Sequence, residues 1–301
     1  MATKTTQSLD RKREAMTKAF IEAVETAGKW LPDWISEAPM NFIKGTAYHG
    51  INAVMLPVHQ MAGGFESCRY APKGQIKAAG GRVRDGEMSR GTWVFFWGRH
   101  EKKTINRDTG QEEKKTFWFP KAYQVWNLDQ VEGIDEAKIK GTPNVAGAEL
   151  DEAAEALLGR YCEAEGIKII GGRPSYSPRM DCIALPPRAN YQTTEGYYNS
   201  WAHEAGHSTG HAGRLARDIE NVFGDHLYSR EELVAQLSAA FIRADIGMST
   251  EAGQERDAAY LSSWLSALRA DPSMLFDAAQ DADKAVKFIR EKAGVEAQAE
   301  A

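Results

Sequence analysis

The residues best suited to chemistry lie in one run, Trp201-Ala-His203-Glu204-Ala-Gly-His207-Ser-Thr-Gly-His211. Residues four apart on a helix share a face, so His203 and His207 can turn two imidazoles toward one ion. Glu204 follows the first of them directly, where a carboxylate can take the proton of a water that the ion activates. The plainer alternative is an amphipathic helix with two solvated or buried histidines. Clustering weighs against it: four of the seven histidines, His203, His207, His211 and His226, fall within 24 residues.

A third ligand has several sources. Zinc-peptidase helices commonly continue as His-Glu-x-x-His-x-x-Gly-x-x-His. Gly210 stands in the right place, but the last position holds Gly213, and His211 follows the glycine directly. His211 therefore stays a possible ligand or a partner of one. Downstream, Ser229-Arg-Glu231-Glu232-Leu-Val-Ala-Gln236 reads as the start of a helix. Ser229 and Glu232 also make a capping box, and Glu231 would favour a helix N-terminus by charge alone. Glu232 shares a face with Gln236, whose amide could orient a ligating carboxylate. Glu232 is thus the first candidate, ahead of Glu231 and His211. His226 or Tyr228 could stabilise an oxyanion, with an ordinary turn as the alternative. Two imidazoles and a carboxylate with an open position suit Zn2+ best, with Mn2+, Co2+ or Ni2+ able to substitute.

The elements that position these groups follow from pattern. Thr193 or Thr194 can cap the metal helix. A helix over roughly 152–165 precedes a strand at Ile167-Lys-Ile-Ile, and another short strand runs over Met180–Leu185. That second strand is the candidate edge for holding a substrate backbone by strand addition, with Pro186 and Pro187 blocking further pairing. The tail reads as two helices broken at Asp271-Pro272.

The first half reads differently. Residues 1–10 look frayed, and 11–37 form a helix on which Trp30 and Trp34 share a face. A glycine-punctuated loop offers Lys44, Tyr48 and Asn52 to phosphate or base. Gly80-Gly81-Arg82-Val-Arg84 reads as a turn and short strand with two arginines projecting from one face. Trp93, Phe95 and Trp97 alternate along a strand, and a charged hairpin around 106–110 leads into a second aromatic strand through Phe117, Trp118, Phe119, Tyr123 and Trp126. Rings interleaved with cations suit single-stranded nucleic acid: bases stack and phosphates meet Lys and Arg. The alternative is that the ring face is core.

Charge divides in the same way. Residues 1–130 carry a net +6 and the remainder −11, and 16 of the 29 aromatic residues lie in the first part. A basic half joined to an acidic half suggests two jobs, the first meeting a polyanion. Cys68, Cys162 and Cys182 have no paired spacing, which argues against disulfides and against a Cys-bound zinc. No signal peptide or apolar run of spanning length is present, so a cytoplasmic protein without membrane association is expected.

Taken together, these motifs resemble the ArdC-type antirestriction proteins of mobile elements. The matching stretches are Gly45-Thr-Ala-Tyr-His-Gly-Ile-Asn-Ala, Gly80-Gly81-Arg-Val-Arg-Asp-Gly-Glu, the Trp93–Trp97 strand, Tyr197-Tyr198, His203 to His211, Arg214-Leu215, Phe223-Gly224 and Glu231-Glu232-Leu-Val-Ala. The resemblance implies a single-stranded-DNA-binding domain, a zincin-like metallopeptidase domain, and protection of incoming plasmid or phage DNA from host restriction. It implies His203 and His207 as ligands, Glu204 as general base and a third ligand within Glu-Glu-Leu-Val-Ala. The sequence departs at Gln236, where relatives look to carry Glu.

The fold expected is α+β in two domains. A small aromatic-rich antiparallel sheet with helices spans 1–133, a linker 134–151, and a mostly helical zincin-like domain with a short sheet 152–301. Two functions follow. In one, single-stranded DNA brings a zinc peptidase to a protein substrate among host defence proteins. In the other, the chain is a non-enzymatic protein that binds and shields single-stranded DNA, and its metal is structural.

Overall fold

The structure is a computed structural model that describes residues 4–27, 38–105, 112–140, 148–191, 193–219, 226–248 and 265–295. Over 4–8, 97–105, 112–120, 148–151 and 226–229 it describes the backbone alone. Trp30, Trp34, the 106–110 turn, 141–147 and Phe223-Gly224 lie outside the described residues.

The first helix, α1 (Lys4–Ala27), begins earlier than the polar leader suggests. Leu9 packs on the core, and Met16, Phe20, Ile21 and Val24 bury one stripe. Then come β1 (Met40–Asn41), β2 (Thr46–Ala47) and α2 (Ile51–Gly63). Gly50 sits just before α2 at φ +58, a conformation that costs a residue with a Cβ. After β3 (Arg69–Pro72), α3 (Lys73–Ala78) and β4 (Arg82–Val83) come the two aromatic strands, β5 (Thr92–Ile105) and β6 (Glu112–Asn127). They pair antiparallel from Thr92↔Val125 to Ile105↔Glu112, as their alternation predicts. The five-stranded sheet runs β2-β1-β3-β6-β5, and β4 pairs separately with β7 (Val131–Glu132).

Residues 134–140, expected as free linker, pack on this half. Ile134 and Ile139 pack against the core cluster that contains Phe42 and Trp126, and the Lys140 amide donates to Phe42 O at 2.7 Å.

The second half holds α4 (Ala148–Glu165), β8 (Lys168–Gly171), β9 (Ser175–Ser177), β10 (Cys182–Leu185), α5 (Thr194–Ser208), α6 (His226–Asp245), α7 (residues 265–270) and α8 (Met274–Lys292). β10 is the central strand of its sheet, order β8-β10-β9, parallel to β8 and antiparallel to β9. It cannot be the substrate-holding edge, because both of its hydrogen-bonding sides are taken. Nor does Ser229 open α6. The helix is already formed at His226, so the expected capping box lies one turn inside it.

The largest core cluster is shared between the halves. Phe20, Val54 and Phe95 belong to it together with Leu158, Trp201, Leu233 and Phe276. Phe95 meets Phe276 edge-on with ring centroids 5.4 Å apart. The apolar face of α8, from Met274 to Ile289, closes this core. No helix among the described residues is long and apolar enough to cross a membrane.

Candidate metal centre

Two helices build the site. Thr193 caps α5, its Oγ1 accepting from the Gly196 amide at 3.1 Å, and this fixes the phase of the helix. His203 and His207 then fall one turn apart on the side facing α6, their rings 4.8 Å apart. The crossing is close. A Cβ on Gly206 would meet Ser238 Cβ at 3.1 Å and Ala235 Cα at 3.2 Å, so a glycine inside the motif lets α6 come near.

Closeness brings Glu232 to the imidazoles. Glu232 Oε1 lies 3.3 Å from His207 Nε2, and Oε2 lies 3.7 Å from His203 Nε2. One ligand atom from each of the three lies within 4.8 Å of the others. Tetrahedral ligands at about 2.1 Å from a metal are roughly 3.4 Å apart, close to the 3.3 and 3.7 Å that separate Glu232 from the two imidazoles. The donor set, two nitrogens and a carboxylate oxygen, suits Zn2+ and its neighbours in the first transition row.

Glu231 does something else. Arg217 Nε donates to its Oε2 and Nη2 to its Oε1, both at 2.9 Å. Oε1 also faces His207 Nδ1 at 3.3 Å. Both Glu231 oxygens are thus engaged, one of them beside a histidine, and the carboxylate that faces both imidazoles is the next one along. Burial alone would raise the Glu231 carboxyl, but Arg217 and His207 hold it below the usual carboxylate range. Burial likewise opposes an imidazolium at His207, yet Glu231, Glu232 and Glu204 outweigh it and raise its pKa to about 10. A cation held by these residues would take the place of that proton as the partner of the acids. Glu204 is itself buried, at 6% exposure, near enough for its charge to act on His207.

The other predicted residues distribute as follows. His211 stands apart from the trio, its Nδ1 accepting from the Gly213 amide at 3.1 Å. Gln236 is buried one turn beyond Glu232. The hydrogen bonds at His207 Nδ1 run through Glu231 and Arg217. The side chains of His226 and Tyr228 lie outside the described residues. Sequence reading missed Arg217, because its partners are spread over 8 to 14 positions and leave no local pattern.

A second cation fixes the surroundings. Arg214, its side chain 3% exposed, binds Glu165 Oε2 at 2.9 Å and Asp181 Oδ2 at 2.8 Å. It also donates to Ser208 O at 3.0 Å. Thus α4, the turn before β10 and the end of α5 meet at one guanidinium.

In the first half, several residues expected at DNA are interior. Tyr48 is buried, and burial pushes its phenol well above the ordinary range. Asn52 is buried against the backbone of Phe95, and Phe95 itself is core, at 8% exposure. Trp93 is partly buried on the same core with Lys12 Nζ 3.6 Å above its ring. Trp97 pairs with Pro120, and its side chain lies outside the described residues. Lys44, Arg82 and Arg84 are exposed, though Arg82 is paired with Glu132 at 2.6 Å. On the opposite face Val94 is buried in a second core cluster, and the exposed ring is the next one along. Phe96 is 39% exposed, with Tyr123 edge-on at 5.1 Å and Lys121 Nζ 5.8 Å from its centroid.

Comparison with known proteins follows this division. Residues 10–126 match the N-terminal domain of anti-restriction factor ArdC, and 152–281 match a zincin-like metallopeptidase, MPTase-PolyVal. The metal-free crystal structure of antirestriction ArdC from the R388 plasmid superposes with a TM-score of 0.72 at 32% identity, covering 95% of this chain and 99% of that one. The chain belongs to the ArdC antirestriction family. The Mn(II)-bound structure of the same ArdC matches with a TM-score of 0.71 at 32% identity, covering 93% of this chain and 97% of that one. Within this family setting, the zincin-like half implies a metal. A DNA primase TraC of Escherichia coli is 35% identical over 92% of this chain, but the chain spans only 20% of it; for a second TraC the figures are 32%, 92% and 27%. The uncharacterized protein y4eC of Sinorhizobium fredii is 32% identical over 92% of this chain and 90% of its own length.

Proposed function

We propose that this ArdC-family chain binds single-stranded DNA with its first half and carries a zinc-dependent peptidase site in its second. It thereby protects incoming plasmid or phage DNA from host defence proteins. The observation that carries the peptidase reading is the convergence of His203, His207 and Glu232 beside a buried Glu204.

In this reading His203, His207 and Glu232 hold the ion. A bound Zn2+ supplies Lewis acidity, polarising a peptide carbonyl and making water a stronger acid. Glu204 takes the proton of the attacking water and returns it to the departing amide nitrogen, the role of a general base that becomes a general acid. The α5–α6 crossing keeps these groups in a largely buried setting, where charges act strongly. A purely structural ion would not need Glu204, which favours the enzyme over the shielding protein. The Mn(II) in the R388 ArdC supports Mn2+ as a substitute.

For DNA, the exposed Phe96 and Lys121 and the half-buried Tyr123 beside them supply rings and a cation on one face, with Lys44 and Arg84 as further cations. Bases stack on such rings without sequence preference.

Two measurements test this. Labelled single-stranded and duplex oligonucleotides are titrated with the whole chain across a salt series. Equal binding to both, or none, removes the single-strand reading. The Zn2+-loaded chain and its Glu204→Gln variant are then incubated with host lysate proteins and fragments mapped. Cleavage by the parent alone is expected. Identical fragment patterns would leave only the shielding protein.

A further inference from the structure

We infer that Arg217 is a positioning residue of the metal centre, acting on the ion through Glu231 and His207. The inference rests on the metal-site reading above and adds to it a residue that touches neither ion nor substrate.

The chain is built to bring Arg217 back to α5. Past the helix end, Leu215 N donates to Thr209 O at 2.9 Å and Ala216 N to His211 O at 3.2 Å. Ala216 stands at φ +50, in the left-handed region that a Cβ disfavours. This tight turn sends the next side chain inward, where Arg217 is 7% exposed.

Every arm of its fork is used. Nε and Nη2 hold the two oxygens of Glu231 at 2.9 Å, Nη2 also donates to Gly206 O at 2.9 Å, and Nη1 donates to Thr209 Oγ1 at 2.8 Å. Gly206 lies between Glu204 and His207 on α5, while Glu231 precedes Glu232 on α6. One guanidinium therefore spans the two helices that carry the ligands. Its planar fork matches a carboxylate and two further acceptors at once, which an ammonium cannot do.

The consequence falls on His207. Glu231 Oε1 faces Nδ1 at 3.3 Å, which directs Nε2 toward Glu232 and makes it the ligating nitrogen. Without Arg217, Glu231 is free to rotate, to leave Nδ1, or to swing toward the ion in competition with Glu232.

The test uses the whole chain. Zn2+ affinity is measured by chelator competition for the parent, Arg217→Met, Arg217→Lys, Glu231→Gln and the double variant Arg217→Met/Glu231→Gln. Thermal unfolding is recorded without metal, and the imidazole N–H proton of His207 is followed by NMR in the Zn2+-loaded chains. We expect affinity to fall about 10- to 100-fold in Arg217→Met and Glu231→Gln, with no further loss in the double variant, because the pair acts as a unit. Arg217→Lys should fall between. The His207 N–H, protected in the parent, should exchange with water in Arg217→Met. Parent-like affinity in a folded Arg217→Met, or losses that add in the double variant, would overturn the inference. If Arg217→Met does not fold, parent-like affinity in Arg217→Lys does the same. A parent that binds no Zn2+ or Mn2+ overturns the metal-site reading itself and this inference with it, a result distinct from the others.

Discussion

Asn52 holds Phe95 by both ends of its amide: Oδ1 accepts from the Phe95 N–H at 2.8 Å, and Nδ2 donates to the Phe95 carbonyl at 2.6 Å. A side chain from α2 thus takes the place of a neighbouring strand at β5. It fixes which rings turn inward. Phe95 goes to the core and Phe96 to water.

That alternation separates two phenylalanines that are adjacent in sequence. Phe96→Ala should weaken single-stranded DNA binding by about 1–3 kcal/mol and leave the melting temperature near the parent's. Phe95→Ala should cost about 3–5 kcal/mol of stability. Denaturant unfolding and oligonucleotide titration of both variants check this, and the reverse pattern would place the DNA face on the other side of the sheet.

Glu204→Gln should lower peptidase turnover by about 10²- to 10⁴-fold, the range for loss of a general base. Zn2+ content and DNA affinity should stay at parent values. Elemental analysis beside the cleavage assay distinguishes a lost base from a lost ion.

Gly206→Ala tests the close crossing of α5 and α6. The added Cβ meets Ala235 Cα at 3.2 Å and Ser238 Cβ at 3.1 Å, so α6 must give by a few tenths of an ångström. A loss of about 1–3 kcal/mol is expected from overpacking, together with weaker Zn2+ binding, because Glu232 moves with α6. Unchanged affinity would show that the site tolerates the shift.

The Arg214 cluster sets an acid limit. Burial pushes the Asp181 and Glu165 carboxyls up, but Arg214, with Tyr176 at Asp181 and Lys292 at Glu165, holds both below their ordinary values. Folded values below unfolded ones mean a contribution that is complete above the unfolded carboxylate pKa of about 4 and is lost as pH falls through the lower folded values. Unfolding free energy should therefore decline below about pH 4–5. Arg214→Met should flatten that decline and cost at most about 3–5 kcal/mol at neutral pH, reduced because Asp181 keeps contact with water. Denaturant midpoints across pH for parent and variant give both numbers.

Much was legible from the residues alone. The spacing of His203, Glu204 and His207 specifies one helical face, because 3.6 residues per turn is a local property. Period-two alternation likewise specified β5 and β6, and the charge divide specified two unlike halves. Local pattern put Glu232 ahead of Glu231 only through its shared face with Gln236, since both open the same helix turn. A guanidinium from 14 residues upstream, which no local pattern announces, holds both oxygens of Glu231. Nor could alternation say which rings are core, because that depends on where distant elements such as α8 and its Phe276 lie. The place of β10 inside its sheet is of the same kind: strand order is set by pairing between distant segments. Local periodicity decides what each segment is and which way its side chains alternate. Only the packing of segments far apart in the chain decides which of those side chains are buried, paired or left free to act.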